Sequence, residues 1–257
     1  RPPRSTLSPS SAASDVYKRQ LLDSSWREIP LQARALTRWA DGSVRWVLLD
    51  FLLPDSRRLY LAVGPRSQAR GVRVEERGPG VWVDCGPMAF GVGVTGVPVG
   101  PVMLDLDGDG RREVEIGGID VYALEPSGAR ASARVREVSV EETGPVRASV
   151  AVRGVHEGPS GPLLNFTLRV EAYANSSILR IYYSEENGRA CLNDGSGQPD
   201  CLKLGSPNSV RFEGVHLELR LGWKRAEVSV PAAGGLVVRR ASSLTIYQGS
   251  SGGPDWG

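Results

Sequence analysis

Histidine, cysteine and lysine are scarce in this chain, and their scarcity excludes several kinds of site. Its 257 residues include only 2 histidines and 3 cysteines. Both histidines, His156 and His216, fall in strand-like segments, and His216 shares a polar face with Glu218 and Arg220. Zinc centres and Ser-His-Asp sites need a histidine with further converging partners. The sequence offers no convincing set for either.

Long apolar runs and clusters of positive charge are also missing, which limits the partners. No segment reaches the roughly 18 consecutive apolar residues of a transmembrane helix. The 31 basic residues are nearly balanced by 29 acidic ones and are scattered among them. A surface that binds nucleic acid or an anionic membrane instead concentrates positive charge. The sequence therefore predicts no nucleic-acid partner and no membrane partner.

Long helical periods of Ala, Leu and Glu are absent, whereas glycine and proline are abundant, with 31 and 18 residues. This composition predicts an all-β fold. The best core candidates are Val146–His156 and Leu164–Ala172, which carry alternating apolar residues and are joined by a loop over residues 157–162. In residues 210–221 the alternation changes phase, which predicts a β-bulge near Gly214.

Asp41-Gly42 lies between two strand-like segments and predicts a β-hairpin, because both residues tolerate the positive φ of a tight turn. The alternating segment Leu31–Trp39 predicts a strand near a sheet edge, and Val44–Phe51, apolar on both faces, predicts a central strand. A loop of only two residues would place Arg38 opposite Arg45, which is unfavourable. Either the loop is wider or an acidic partner lies between the two arginines.

Tryptophans beside this turn are the candidate substrate-binding residues. Trp39 and Trp46, with Trp82, could form a platform for sugar rings, although tryptophans at strand spacing are often core residues. Arg45 or Arg38 could reach an acidic sugar, or could instead form structural ion pairs. We assign Trp39, Arg45 and Trp46 as the candidate substrate-binding set and assign no catalytic residue.

An acidic loop is the candidate metal site. Asp105, Asp107 and Asp109 occupy positions one, three and five, glycine follows at six, and Glu113 falls at position nine. Calcium-binding loops gather oxygen ligands at this spacing. Position twelve is Ile116, however, so the carboxylate that closes an EF-hand is absent, and Glu115 or Asp120 would have to complete the set. Calcium is therefore the one cofactor considered, and the alternative is an acidic hairpin tip with Asp-Gly turns.

The cysteines indicate the compartment. Cys191 and Cys201 bracket a polar loop of nine residues, where a disulfide would restrict the chain. We favour that bridge, which implies an oxidising compartment and hence a secreted or periplasmic protein. Cys85 is predicted to be a buried free thiol.

The run Gly78-Pro79-Gly80 predicts a domain boundary, with one domain over residues 21–78 and a second over residues 79–257. Residues 1–20 are set aside as an artefactual or disordered segment, because Ser11–Gln20 looks like translated sequencing-adapter read-through. We expect the native N-terminus upstream, and the glycine- and serine-rich end at residues 249–257 to be a truncation.

Several runs near the hairpin resemble, in their order, the N-terminal barrel domain of the exo-rhamnogalacturonan lyase-like (PcRGLX/YetA-like) family. These runs are Ile29–Gln32, Arg38–Trp39, Asp41–Ser43, Arg45–Trp46 and Leu48–Phe51. The resemblance continues into the central β-sandwich of that family at Val83–Phe90, Glu141–Ala148, Phe166–Tyr173 and Ile178–Tyr183.

The resemblance implies a small RIFT-type barrel, incomplete here, followed by an antiparallel β-sandwich and then an α/α toroid that houses most of the lyase cleft. No helical third part is seen in the sequence. We therefore expect the non-catalytic N-terminal part of a polysaccharide lyase, inactive alone, whose partners are an acidic plant polysaccharide and the missing α/α domain. The alternative is a non-catalytic carbohydrate-binding or scaffold module of a surface or secreted protein.

Overall fold

A computed structural model describes residues 19–53, 58–64, 71–189, 208–222, 226–232 and 235–246 of the chain. In these ranges all regular secondary structure is β, which confirms the predicted all-β class, and no helix there is long and apolar enough to cross a membrane. The strands, in chain order, are β1 (Arg19–Leu22), β2 (Glu28–Ile29), β3 (Gln32–Arg38), β4 (Val44–Asp50), β5 (Tyr60–Val63), β6 (Arg73–Arg77), β7 (Gly80–Asp84), β8 (Met88–Val92), β9 (Val99–Leu104), β10 (Val114–Ile116), β11 (Gly118–Leu124), β12 (Arg130–Glu142), β13 (Arg147–Gly158), β14 (Gly161–Tyr173), β15 (Leu179–Glu186), β16 (Gly214–Arg220), β17 (Ala226–Ala232) and β18 (Gly235–Ala241).

The chain divides into two compact units, Arg1–Arg220 and Leu221–Gly257. The described strands of the second unit, β17 and β18, form an antiparallel hairpin in register from Ala226↔Ala241 to Ala232↔Gly235. The first unit holds all the other strands.

The first unit begins with two small sheets that share a core. Their orders are β2-β1-β5 and β3-β4. Leu21, Ile29 and Leu31 are buried, and three partly buried side chains pack against them, namely Leu49, Phe51 and Leu59. The RIFT-type barrel stays a prediction. Strand β1 begins at Arg19, so the last two residues of the segment set aside in the sequence pair with β5.

The prediction of a central strand at Val44–Phe51 is wrong for the described residues. Strand β4 pairs with β3 alone, in a two-stranded sheet. Its apolar run sends Leu49 and Phe51 toward the small core, while Val47 is exposed. A strand that is apolar on both faces does not by itself identify a second neighbour.

The second part of the first unit is an 11-stranded sheet with the path β15-β14-β13-β12-β11-β9-β8-β7-β6, to which β10 adds at β9 and β16 at β11. The predicted core pair is confirmed as β13 and β14, whose inward residues are buried from Val146 to Val152 and from Leu164 to Ala172. Their connection is shorter than predicted, because Gly158 already pairs with Gly161.

This sheet folds over so that distant strands meet. The backbone N–H of Asn175, after β14, donates to the Cys85 carbonyl at 2.7 Å. Gly93, after β8, lies so close to β12 that an added methyl group would come within 2.5 Å of Val138 Cγ2. The buried side chains of β7, β8 and β9 are thereby enclosed in a sandwich-like arrangement.

Two further sequence predictions meet the structure here. The predicted bulge near Gly214 is wrong, because β16 begins at that residue and pairs with β11 in unbroken register as far as Arg220. The proposed boundary at Gly78-Pro79-Gly80 falls in the turn between β6 and β7, where Gly78 has a φ of 59°. The division into two domains at this point stays a prediction, and a cut there would pass through a hairpin of the large sheet.

A buried ionic cluster joins the β3-β4 sheet to the large sheet. Arg147 on β13 pairs with Asp50 at 3.3 Å, Glu142 at 2.7 Å and Glu171 at 2.8 Å. The Gln32 side chain supports the cluster by donating to Glu142 at 2.7 Å and accepting the Arg147 backbone N–H at 3.1 Å. The hairpin is therefore fixed to the sandwich through side chains of five strands.

Cys85 is the buried free thiol that the sequence predicted. Its Sγ lies 3.1 Å from the Met88 carbonyl and 3.2 Å from the Ser176 carbonyl, and burial raises the pKa of the thiol to about 11. Since the thiolate is the nucleophile, a pKa about two units above 9.0 leaves roughly 100-fold less of it at about pH 8.

We therefore expect iodoacetamide to alkylate Cys85 in the native protein at least about 100-fold more slowly than in the unfolded protein. Peptide mass spectrometry after timed labelling measures this rate separately from those of Cys191 and Cys201. Equal labelling of Cys85 in the native and urea-unfolded protein would contradict the burial.

Candidate functional site

The β3-β4 hairpin carries the predicted substrate-binding residues, and its loop is wider than two residues. Arg38 pairs with Val44, so residues 39–43 form the connection. The Trp39 N–H donates to the Ser43 carbonyl at 2.8 Å, and the Gly42 N–H donates to the Trp39 carbonyl at 2.9 Å. Gly42 has a φ of 82°, as expected of the turn glycine. Of the two predicted alternatives, a wider loop or an acidic partner between the arginines, the wider loop is confirmed.

Arg45 does not face Arg38. The register passes from Thr37↔Trp46 to Arg38↔Val44, so Arg45 is the extra residue of a β-bulge. Its guanidinium carbon lies 4.5 Å above the ring centroid of Trp39, within the range of a cation–π contact. Arg38 instead donates to the Gly42 carbonyl at 3.0 Å and so stabilises the loop. The bulge thus turns one arginine onto a tryptophan face.

Both tryptophans at this tip are exposed. Trp39 is 55% accessible and Trp46 is 62% accessible, so the alternative that they belong to the core is wrong. Asp41 lies between them on the loop, and hydrogen bonds from the Ser43 hydroxyl and backbone N–H lower the pKa of its carboxyl group. Trp82 is half-buried on β7, where Arg77 stacks on it at 4.7 Å. The hairpin therefore presents two indole rings, one guanidinium and one ionised carboxylate to solvent.

The acidic loop connects β9 to β10 and gathers its carboxylates at one place. One carboxylate oxygen each from Asp105, Asp107, Asp109 and Glu113 lies within 4.8 Å of the others. Hard cations such as Ca²⁺ take oxygen ligands in this way. Among the residues that the structure describes, no arginine or lysine forms an ion pair with these four carboxylates.

Backbone N–H groups hold the loop in shape. The Asp105 carboxylate accepts the N–H groups of Gly108 at 2.7 Å and Gly110 at 3.0 Å. Asp107 accepts the N–H of Asp109 at 3.1 Å. These hydrogen bonds are also expected of an acidic turn without metal, the alternative interpretation. Each carboxylate nevertheless keeps further lone pairs that could bind a cation.

The base of the loop is fixed to the β7-β8 turn. The Asp105 N–H donates to the Pro87 carbonyl at 2.8 Å. Arg112 pairs with Asp84 at 2.6 Å and donates to the Gly86 carbonyl at 2.7 Å. Asp120, considered as a completing ligand, is instead paired with Arg130 and Arg220 on the outer face of the large sheet. Among the described side chains, the four clustered carboxylates would therefore hold a cation, and the side chain of Glu115, the other completing ligand considered, lies outside that described set.

His156 has partners that the sequence alone did not reveal. It is fully buried, its Nε2 lies 2.9 Å from the Tyr183 hydroxyl and 2.8 Å from Glu185, and its ring stacks on Phe166. Burial, with the nearby Glu185, raises the pKa of Tyr183. Tyr183 and Glu185 both lie on β15, two strands away from His156 on β13. Their spacing of two residues places them on one face of that strand, which is the one signal in the sequence for this cluster. The His156 ring is inaccessible to a polymeric substrate, while Tyr183 and Glu185 are half-buried.

The remaining predicted residues are placed as follows. His216 lies on the polar face as expected, stacked on Tyr122 with centroids 4.6 Å apart. Cys191 and Cys201 lie outside the described residues, so their disulfide stays a prediction.

Comparison with known proteins identifies the sandwich. Residues 123–192 match the family described as the PcRGLX-like protein central beta sandwich domain. This range contains the whole of β12, β13, β14 and β15 and the buried core pair. A search of curated proteins gives no match. The resemblance to PcRGLX-like proteins is thus confirmed for the central sandwich, while the hairpin and the acidic loop lie outside the matched range.

Proposed function

We propose that this chain, with its PcRGLX-like central β-sandwich at residues 123–192, is a non-catalytic, carbohydrate-binding part of a polysaccharide lyase. The whole lyase would cleave rhamnogalacturonan-type pectic polysaccharide by β-elimination, with its reacting groups on a separate α/α domain. The observation that carries the proposal is the exposed Trp39–Arg45–Trp46 tip, fixed to the PcRGLX-like sandwich by the Arg147 cluster.

The chemistry of the tip suits an acidic sugar. A pyranose ring has an apolar face that can stack on an indole, and Tyr and Trp contribute large, rigid contact areas at low entropic cost. A uronate carboxylate adds a charge that the Arg45 guanidinium can pair with, and that guanidinium is already oriented on the Trp39 ring. Rhamnogalacturonan offers both features in one polymer.

We assign no residue of this chain to the elimination itself. Removing the proton next to a uronate carboxylate needs a base, an acid for the leaving oxygen and a group that neutralises the carboxylate. The one histidine of the described residues with both a tyrosine and a glutamate partner, His156, is enclosed in the core. We therefore assign binding, and not elimination, to this chain.

Two properties accompany this proposal. We propose that the acidic loop binds calcium through Asp105, Asp107, Asp109 and Glu113. We also propose that the protein is secreted or periplasmic, where such a polysaccharide and free calcium would be met.

Isothermal titration with rhamnogalacturonan oligosaccharides tests the binding function. We expect the wild-type chain to bind, and Trp39→Ala and Trp46→Ala each to weaken binding by about three- to tenfold, the size of an aromatic contact. Arg45→Gln should weaken binding at low salt and have less effect at high salt, because its contribution is charge pairing. Absorbance at about 235 nm should not rise, since no unsaturated uronate forms without the catalytic groups.

Arg77→Gln is the matched control, because Arg77 also stacks on a tryptophan, Trp82, but lies on the large sheet. Its affinity should equal that of the wild type. Absence of binding by the wild-type chain would favour the scaffold alternative over a carbohydrate module. A rise in absorbance with this chain alone would overturn the non-catalytic assignment.

A further inference from the structure

The connection between β1 and β2 presents a tryptophan that has no evident structural purpose. Trp26 is 70% exposed and stacks on Tyr60 of β5, with ring centroids 5.2 Å apart and planes 17° apart. Tyr60 therefore covers one face of the indole, and the other face is open to solvent. An exposed aromatic ring with a rigid aromatic support has the form of a stacking surface.

The backbone at Trp26 is in a conformation that L-residues avoid. Its φ is 62°, and Asn175 is the one other non-glycine residue with positive φ in the described part of the chain. For a residue with a Cβ this conformation is unfavourable, and such positions cluster at functional sites. Asparagine tolerates it through its short polar side chain, whereas tryptophan does not. The strain at Trp26 therefore needs a compensating reason.

Asp23 holds this strained turn in place. Its buried carboxylate accepts the backbone N–H groups of Ser25 at 2.8 Å and Arg27 at 3.0 Å, and its carbonyl accepts the N–H of Trp26 at 3.0 Å. The hydrogen bond from the Arg27 backbone, with that from Ser25, keeps the pKa of Asp23 below its usual range. A turn fixed by three hydrogen bonds loses little entropy when a ligand binds, because the ring is already oriented.

The residue after Trp26 in the chain, Arg27, carries an oriented guanidinium. Arg27 donates from Nε and Nη2 to the Asp23 carboxylate at 2.9 Å, while its side chain remains 80% exposed. An exposed Trp next to an oriented Arg repeats the chemistry of Trp39 and Arg45 at the other hairpin. Both places offer a stacking face for a sugar ring and a cation for a carboxylate.

We propose that Trp26, supported by Tyr60 and flanked by Arg27, is a second stacking subsite for a uronic-acid-containing glycan, additional to the Trp39–Arg45–Trp46 tip. This inference rests on the proposed carbohydrate-binding function and extends it. A polymer that reaches both subsites would gain affinity through effective concentration, whereas a short oligosaccharide would occupy one subsite at a time.

The test compares affinity and thermal stability in Trp26 variants. We expect Trp26→Ala and Trp26→Gly each to lower the affinity for a rhamnogalacturonan oligosaccharide pool by about three- to tenfold, and Trp26→Tyr to retain most of it. Both small residues lose the Tyr60 stack, but only glycine relaxes the positive φ. Trp26→Gly should therefore melt at a higher temperature than Trp26→Ala. Arg27→Gln should weaken binding of the native polymer and leave binding of its carboxyl-reduced form unchanged.

The outcomes separate the two proposals. If Trp39→Ala weakens binding while Trp26→Ala and Trp26→Gly bind like the wild type, the second subsite is overturned and the proposed function stands. If the wild type binds no polymer, both are overturned. If Trp26→Tyr loses as much affinity as Trp26→Ala, stacking is not the mechanism, and the subsite is overturned as well.

Discussion

Replacing Arg147 with methionine is expected to lower the free energy of unfolding by about 3–5 kcal/mol, the range for removing one partner of a buried ionic group. Arg147 is 9% exposed and faces three carboxylates, those of Asp50, Glu142 and Glu171. Burial alone would lower the pKa of Arg147, but the hydrogen bond and charge of Asp50 and the charges of the two glutamates raise it. The side chain therefore stays a cation at every accessible pH. Methionine would remove the buried cation that contacts all three acidic groups, while Glu142 and Glu171 would keep the exposed partners Arg34 at 4.0 Å and Arg180 at 3.9 Å.

Urea unfolding at neutral pH measures this loss. Arg147→Lys keeps the charge but lacks the planar fork that serves several carboxylates at once, and we expect an intermediate loss.

Arg153→Met is the matched control. Arg153 lies on the same strand and forms ion pairs with Glu137 at 3.4 Å and Glu141 at 3.6 Å, but it is partly exposed. Exposed pairs of this kind contribute about 0–1 kcal/mol. Equal losses in Arg147→Met and Arg153→Met would show that the cluster does not hold the hairpin on the sheet.

The Arg147 cluster also shows where sequence reasoning ends. Alternation from Leu164 to Ala172 predicted which face of β14 is buried, because the side-chain period of a strand is local information. The same reasoning made β4 a central strand, since apolar residues do not say which strand pairs with them. Asp50 lies 97 residues from Arg147 in the chain, and no local pattern connects the two. Ion pairs between residues this far apart in the chain depend on how the strands are arranged in the fold.

The candidate sites divide in the same way. The four carboxylates from Asp105 to Glu113 come from one loop, so their spacing alone predicted that they would converge. The hairpin width was left open in the sequence, because a bulge at Arg45 depends on the partner strand. The exposed position of Trp26 was not predicted, since nothing in the segment Ser-Ser-Trp-Arg indicates a positive φ or a contact with a distant tyrosine. The sequence thus predicts clusters of side chains within one loop. It does not predict how a side chain is oriented or which distant residue packs against it.

Calcium is expected to raise the melting temperature of the wild-type chain, and that of Asp107→Asn by less, because asparagine keeps a ligand oxygen but loses the negative charge. A ligand that binds only the folded state at about 5–50 times its dissociation constant stabilises by about 1–2.3 kcal/mol, which corresponds to about 2–9 °C for a chain of this size. Extracellular calcium modules work at about 0.1–1 mM, so several millimolar calcium should come near saturation. Differential scanning fluorimetry with calcium or EDTA, and magnesium as the comparison ion, measures the shift.

Without metal, Asp107→Asn should be at least as stable to heat as the wild type. Carboxylate oxygens within 4.8 Å of one another repel by on the order of 1 kcal/mol per pair in water. Asparagine removes one charge but keeps the oxygen that accepts the Asp109 N–H, so Asp107→Asn in EDTA should melt at or above the wild type, most clearly at low salt. Glu76→Gln, an exposed carboxylate on β6, removes the same charge away from the loop and should leave the calcium shift intact. A wild-type melting temperature that is the same in calcium and in EDTA would show that the four residues form an acidic turn and hold no metal, because four converging carboxylates cannot bind the ion without relieving this repulsion.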